Sequence, residues 1–112
     1  MADIAVVRSS LTGAKPTMGA ASEAGDKCLN SKRVILRVVN GSGTSRTITV
    51  TALRALCGVP SVHNSVSIIP AGESRDIGPF DRWIFNDEDD KIAVTYSTHA
   101  DVTIGALEVV DL

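Results

Sequence analysis

The feature that most constrains the fold of this chain is an alternation of apolar and polar side chains with a period of two. In residues 47–52 the threonines occupy every second position, and Ile48 and Val50 lie between them. Residues 92–96 and 102–104 repeat this alternation. A period of two places apolar side chains on one face of an extended strand, whereas a helix needs a period near 3.6. The chain also contains 13 Val, 9 Ile and 9 Thr but only four aromatic residues, and β-branched residues favour strands.

Turn-forming residues separate these strand-like segments at short, even intervals. Residues 40–43 (NGSG) predict a hairpin, because Asn and Gly adopt positive φ at low cost. Residues 70–73 (PAGE) predict a second hairpin, and residues 86–90 (NDEDD) predict a polar turn. Several short strands divided in this way predict an all-β fold. We expect a single small antiparallel β-sandwich, of the jelly-roll or Ig-like kind, with about seven or eight strands.

The alternation also predicts which side chains form the core. Residues 33–39 (RVILRVV) are apolar on nearly both faces and predict a central strand. We expect Ile35, or its neighbours Val34, Leu36 and Val38, to lie in the core. The other predicted core residues are Ile48, Val50, Ile68, Ile92, Val94 and Ile104.

Two short stretches depart from the alternation. After Gly105 the apolar phase moves to Leu107 and Val109, which predicts a β-bulge at residues 105–106. Residues 53–58 (LRALCG) predict either one helical turn that ends at the glycine or the end of a strand.

The N-terminal part of the chain differs in composition from the rest. Residues 9–27 are rich in Ala, Gly, Ser and Thr and offer few anchors for a core. We therefore expect residues 1–32 to form an extended N-terminal arm and loop, and residues 33–112 to form the β-sandwich domain.

Ile4, Val6 and Val7 form a short strand-like run at the start of this arm. An exposed apolar strand can pair with the sheet edge of another chain. We expect the arm to be mobile in the free protein and to become ordered by strand addition to a neighbouring subunit or partner. The alternative is that the run forms the first strand of the chain's own sandwich.

Length, charge and cysteine content narrow the class of protein. The chain has 112 residues and a mass of 11.7 kDa, which suits one domain. Its formal net charge is −2 and it has no Lys- or Arg-rich block, so we expect no nucleic-acid partner. The apolar runs are too short for a transmembrane helix or a signal peptide, so we expect no membrane partner. Cys28 and Cys57 predict either two buried thiols or one disulfide.

The sequence contains no recognisable motif for catalysis, cofactor binding or metal binding. The patterns G-x-S-x-G, G-x-x-x-x-G-K and C-x-x-C are absent. His63 and His99 have no other histidine or cysteine nearby at metal-ligand spacing. Residues 87–90 (DEDD) offer carboxylates for calcium, but Ile92 stands where an EF-hand loop needs glycine, which favours a solvated turn. We therefore expect a protein that is not an enzyme and that holds no cofactor and no metal.

Residues 80–85 contain three of the four aromatic residues. Within this segment Trp83 either fills one end of the sandwich core or anchors a protein interface together with Arg82, because Trp and Arg are enriched at interfaces. The candidate partner contacts predicted from the sequence are Ile4, Val6, Val7, Arg82 and Trp83.

The order of the segments in residues 33–110 resembles that of a known group of proteins. A Gly/Ser turn is followed by TITVT, then by IPAGESRDIGPF, WIFNDEDDKIAVTYS and a final VTIGALEV. In this order the segments are similar to the small β-sandwich capsid decoration proteins of tailed bacteriophages, also called cement or minor capsid proteins. Related sandwich modules occur as head fibres and in tail components.

The resemblance implies a structural virion protein that binds the outer surface of an assembled lattice of major capsid protein and stabilises it. Such a protein is made in the host cytoplasm and lies on the capsid exterior. The resemblance also implies a homo-oligomer, a trimer or dimer at the symmetry axes of the lattice, and it carries over no catalytic residue. The alternatives are a head-fibre, tail or host-surface module that binds carbohydrate, and an enzyme or small-ligand carrier built on a similar sandwich.

Overall fold

The structure, a computed structural model, describes residues 2–55, 58–59 and 63–109. In these residues it contains ten short strands and a helix of one turn. In chain order the elements are β1 (Ala2–Asp3), β2 (Val6–Arg8), β3 (Gly19–Ala20), β4 (Asp26–Leu29), β5 (Val34–Asn40), β6 (Arg46–Val50), β7 (Ser65–Ile69), β8 (Ser74–Ile77), α1 (Arg82–Phe85), β9 (Lys91–Tyr96) and β10 (Val102–Glu108).

The strands form two sheets that pack face to face, so the predicted all-β sandwich is confirmed. Sheet A has the strand order β1-β4-β9-β6-β7, and sheet B has the order β2-β10-β5-β8, with β3 also pairing with β10. The long central pairings are antiparallel, as predicted. Two parallel pairings, β1 with β4 and β2 with β10, make both sheets mixed. Both involve N-terminal strands whose long connections to their partners permit a parallel approach.

The core lies between the sheets and largely matches the residues predicted from the alternation. Val34, Leu36 and Val38 of β5 are fully buried, whereas Ile35 is half-buried. The other confirmed core residues are Ile48, Val50, Ile92, Val94 and Ile104.

The prediction for β7 is wrong by one residue. Ile68 is 67% exposed, and its neighbour Ile69 is the buried side chain. Two consecutive isoleucines leave the phase of a short strand open. The register with β6 decides it, because Ile68 lies opposite Thr47 on the outer face of sheet A.

Both predicted hairpins are instead crossings from one sheet to the other. Residues 40–43 connect β5 in sheet B with β6 in sheet A, and residues 70–73 connect β7 in sheet A with β8 in sheet B. Turn residues specify that the chain reverses direction, but they do not specify which strand the next segment pairs with.

Asn40 joins these two crossings. Its side chain is fully buried, and its Nδ2 donates to the backbone oxygens of Thr44 at 2.8 Å and Ile69 at 3.0 Å. Its Oδ1 accepts a hydrogen bond from the backbone N–H of Ser42 at 3.0 Å. One amide therefore satisfies backbone groups of both crossings, and it closes this end of the sandwich.

The predicted bulge at residues 105–106 is wrong. β10 pairs with β5 in an unbroken register, and Ala106 faces the core. A Cβ added at Gly105 would lie 2.8 Å from Met18 Sδ and 2.9 Å from Pro16 Cβ. The glycine therefore permits a close approach of the N-terminal segment to β10 and does not mark a bulge.

Residues 2–29 contribute strands β1 to β4 to the two sheets, which differs from the predicted arm and from a domain boundary at residue 33. β4 lies between β1 and β9 inside sheet A. Ile4 and Val6 pack against the buried core, and Ile4 N–H donates to the backbone oxygen of Lys27 at 2.7 Å. The alternative reading, in which Ile4, Val6 and Val7 belong to the chain's own sandwich, describes the structure.

The α-helix in the described residues is α1, a turn that the sequence pattern did not predict. The candidate turn at residues 53–58 lies partly outside the described residues, and Leu53 to Ala55 are not helical. Within the described part of the chain, no helix has the length and apolar character needed to cross a membrane. Cys28 is a free, buried thiol, and Cys57 lies outside the described residues.

Candidate binding surface

The helical turn α1 presents the most exposed aromatic side chain of the described residues. Trp83 is 51% exposed, whereas Phe80, just before the helix, is 2% exposed. The Phe80 ring meets the Phe85 ring edge to face, with centroids 5.4 Å apart. Asp81 caps the helix, because its Oδ1 accepts a hydrogen bond from Ile84 N–H at 3.1 Å. Phe80 thus fills the core position that one alternative gave to Trp83, and Trp83 lies on the surface.

Two buried asparagines fix α1 to the rest of the sandwich. Asn30 Nδ2 donates to Asn86 Oδ1 at 2.8 Å and to the backbone oxygen of Phe80 at 3.1 Å. Asn86 Nδ2 donates to the backbone oxygen of Asn30 at 3.1 Å. Both side chains are nearly inaccessible to solvent, so losing either partner would leave polar groups unsatisfied. These bonds connect the segment between β4 and β5 with both ends of α1.

Arg54 holds the opposite side of the helix. Its Nη1 donates to the backbone oxygens of Trp83 at 2.9 Å and Asn86 at 3.2 Å. Leu53 N–H donates to the backbone oxygen of Ile84 at 2.8 Å. The backbone beneath Trp83 is therefore held from two sides while its indole ring remains exposed.

The acidic turn at residues 87–90 is organised by Asp87. Its carboxylate accepts hydrogen bonds from Lys27 Nζ at 2.9 Å and from the backbone N–H groups of Asp89 at 2.8 Å and Lys91 at 3.1 Å. These donors, Lys27 first, lower the pKa of Asp87 to about 2. In residues 2–55, 58–59 and 63–109, no three or more His, Cys, Asp or Glu side chains are grouped to hold a metal ion.

Two open clefts meet at Arg82. The larger has a volume of about 500 Å³, and its lining includes Val6, Arg8, Leu29, Arg82, Asp90 and Glu108. The smaller has a volume of about 410 Å³, and its lining includes Arg54, Arg82, Trp83, Asn86, Asp87 and Asp90. Arg82 Nη2 lies 3.9 Å from Asp90 Oδ1, and both side chains are more than half exposed. We call Leu29, Arg54, Arg82, Trp83 and Asp90 together the Trp83 surface.

The structure brings together some of the predicted contact residues and separates others. Arg82 and Trp83 are neighbours on the Trp83 surface, and Val6 lines the larger cleft beside Arg82. Ile4 packs against the core and lies outside both clefts. Val7 is half-buried on β2, opposite Leu107 of β10.

Sequence reasoning missed Leu29, Arg54 and the two asparagines. Leu29 is 55% exposed although it ends the core strand β4. The alternation of buried and exposed side chains along the strand is the signal that could have found it. Cys28 is buried, so the next residue, Leu29, faces outward. Arg54 and the asparagines gave no local signal, since their partners are 29 to 56 residues away in the chain.

Two side chains away from these clefts, those of Cys28 and Tyr96, have raised pKa values. Burial, with a smaller contribution from Asp3, raises the pKa of the Cys28 thiol to about 12, which favours the protonated thiol. Burial and the 2.5 Å hydrogen bond to buried Asp26 raise the pKa of Tyr96. Neither group lines the two large clefts. The Trp83 surface itself offers apolar contact through Trp83 and Leu29 and ionic contact through Arg82, which is chemistry for binding.

Comparison of the chain with protein-family models, curated proteins and solved structures found no match.

Proposed function

We propose that this protein is a structural virion protein that binds the outer surface of a tailed-bacteriophage capsid and stabilises it as a decoration, or cement, protein. The observation that carries the proposal is an exposed tryptophan, Trp83, on a backbone held by a buried hydrogen bond from Asn86 and by two hydrogen bonds from Arg54. A rigid aromatic side chain next to an accessible arginine is typical of the energetic centre of a protein interface.

Rigidity of the helical turn supports a binding role. Asn30, Asn86 and Arg54 fix the backbone of α1 in the free protein. Little conformational entropy is then lost when Trp83 enters a pocket on a partner. Leu29, 55% exposed beside the larger cleft, adds apolar area to the same contact.

The proposed partner is the major capsid protein, and the proposed location is the capsid exterior. A lattice offers many identical sites, so a small surface on each copy is sufficient when the copies act together as a homo-oligomer. Because the protein binds the assembled lattice selectively, it raises the stability of that state by mass action. The proposed role requires no catalytic step, cofactor, nucleic acid or membrane.

The proposal is tested by sedimenting undecorated capsids with purified protein. The wild-type protein is expected to pellet with the capsids in near-stoichiometric amounts and to raise their melting temperature. Trp83→Ala is expected to weaken binding by about 30-fold, which corresponds to an interface residue that contributes about 2 kcal/mol. Arg75→Ala, on the exposed edge of β8, is the matched control and is expected to bind like the wild type. Wild-type protein that stays in the supernatant at low and moderate salt would contradict the proposal.

A second candidate is a head-fibre, tail or host-surface module that binds carbohydrate. The observation that favours it is the smaller cleft, where Trp83 lies beside Arg82, Asn86 and Asp87. An aromatic face with neighbouring polar side chains suits a sugar ring. Binding to a glycan array that is lost in Trp83→Ala, without pelleting on capsids, would favour this candidate over capsid decoration.

A further inference from the structure

We propose that β7 is a self-association edge, at which a second copy of this chain pairs antiparallel with β7 about a two-fold axis at Ser67. The paired edge would join sheet A of one copy with sheet A of the other. The proposal concerns the protein alone and does not depend on the capsid as a partner.

The first support is the apolar character of this edge. β7 is the last strand of sheet A, and among the described residues it pairs only with β6. Val66 is 59% exposed and Ile68 is 67% exposed, and both lie on the outer face. An exposed edge strand with large apolar side chains is a template for pairing with another strand.

The second support is a contrast with the other sheet edges. β8 exposes Arg75 and Asp76, and the short strands β1 and β2 carry Asp3 and Arg8. Charges and short length are the usual features that prevent edge pairing. β7, with the sequence SVSII, has neither feature.

The third support is the direction of the backbone groups. Ser97 N–H donates to the Thr47 oxygen, and Thr51 N–H donates to the Ala93 oxygen, so Thr47 and Thr51 of the β6 segment face β9. Backbone groups alternate in direction along a strand, so Ile48 faces β7, where Ser67 is its partner in the register. It follows that the N–H and C=O groups of the two residues beside Ser67 point away from the sheet.

These outward groups suit a second copy of the same strand. With the two-fold axis at Ser67, Val66 of each copy lies opposite Ile68 of the other copy. Each such pair can exchange two backbone hydrogen bonds. The four apolar side chains then adjoin on one face of the joined sheet.

The absence of charge around Val66 and Ile68 also supports a second copy of this chain as the partner. The outer-face residues next to Val66 and Ile68 are Thr49 and Thr47 of β6, and neither carries a charge. Two copies therefore meet without placing like charges opposite each other, and no charged partner is selected. A five-residue edge buries less than the roughly 800 Å² per partner of a stable complex, so the dimer is expected to depend on concentration.

The first test measures mass by sedimentation equilibrium over a concentration series up to the millimolar range, without capsids. The wild type is expected to shift from 11.7 kDa toward twice that mass. Ile68→Lys is expected to remain monomeric, because the lysine places a charge at the paired edge. Leu11→Lys is the control. It replaces another exposed apolar side chain, 86% exposed and outside β7, with lysine, and it is expected to behave like the wild type. A wild type that is monomeric throughout, or an Ile68→Lys variant that dimerises equally, overturns the proposal.

The second test measures the register by disulfide trapping, with Cys57→Ser in all variants and Cys28 left in place because it is buried. Ser67→Cys is expected to form a disulfide dimer under mild oxidation, since the axis places the two residues directly opposite each other. Ser65→Cys is the matched control. Its two copies would lie about 13 Å apart along the strands, beyond disulfide reach, so it is expected to stay monomeric. Equal trapping of both variants would overturn the two-fold register. If the wild type stays monomeric but pairs through β7 with a strand of a different protein, that protein is the partner of this edge. The proposal of a second copy of this chain is then overturned.

Discussion

Near both ends of β5, buried asparagine side chains bond the backbone of the connecting segments, but the two ends of the sandwich expose different side chains. At one end Asn40 bonds the backbone of two crossings, and residues 41–45 and 70–73 expose no large apolar side chain. At the other end Asn30 and Asn86 bond the backbone around α1, and there Trp83 and Leu29 are exposed.

The difference between the two ends separates side chains that stabilise the fold from side chains that the proposed binding surface also needs. Where strands leave the sheets, their backbone groups lose the partners that the sheet supplied. A buried asparagine side chain can donate to and accept from several of these groups at once, and so it satisfies them at the end of the sandwich. At the Asn40 end these bonds connect the two crossings. At the Asn30–Asn86 end the same bonds also fix the helical turn that presents Trp83. Substitutions at the two ends should therefore affect stability at both but binding at only one.

The largest effect is expected for Asn40→Ala. The substitution removes an amide that serves both crossings, and it leaves the buried oxygen of Ile69 without that donor. We expect a loss of about 3 kcal/mol in the free energy of unfolding, measured by urea denaturation. Asn64→Ala is the control, because Oδ1 of half-buried Asn64 accepts a hydrogen bond from Ala52 N–H, and its loss should cost about 1 kcal/mol. Equal losses for the two variants would contradict the role of Asn40.

Asn86→Ala tests the other end. It leaves Asn30 Nδ2 with one acceptor fewer, in a place with little access to water. We expect a loss of about 2 kcal/mol in the free energy of unfolding, because among the described residues the Asn86 amide bonds only to Asn30, whereas the Asn40 amide bonds to two crossings. Capsid binding should fall together with stability, since Trp83 loses its fixed position. Unchanged binding at a temperature where the variant is folded would show that the position of Trp83 does not depend on this bond.

Acid titration gives a smaller effect at the same end. The folded-state pKa of Asp87 is about 2, below the ordinary aspartate value of 3.8. The stabilisation from this carboxylate is therefore present above about pH 4 and is lost as the pH falls from there through about 2. Asp87→Asn keeps an oxygen for the turn but has no proton to gain. The difference in unfolding free energy between wild type and Asp87→Asn, measured from pH 5 to pH 2, should shrink with acid, and a constant difference would contradict the assignment.

The smallest effect on stability is expected for Trp83→Ala. The indole ring is half exposed, so its loss should change the free energy of unfolding by at most about 0.5 kcal/mol. Thermal and urea unfolding measure this directly. A loss above about 1.5 kcal/mol would indicate that the ring packs into the molecule, and the contrast between the two ends would fail.

Strands β5 to β10 and most of the core were predictable because their signal is local. The alternation around Ile48, Val50, Ile92 and Val94 reflects one buried face, and it is visible in a window of five residues. The candidate surface was predictable only in part. Trp83 and Arg82 stood out by residue type, whereas the asparagines that position them act over dozens of residues along the chain.

The sequence alone determined that this chain forms strands, where they reverse, and which residues of the central strands are buried, because side-chain period and turn chemistry are local properties. Only the tertiary structure decided which sheet each strand joins. It turned two apparent hairpins into crossings, placed strands β1 to β4 within the two sheets, and set Ile68 on the outer face. Hydrogen-bond pairing between distant strands makes these choices, and a strand has the same local pattern whichever neighbour it pairs with.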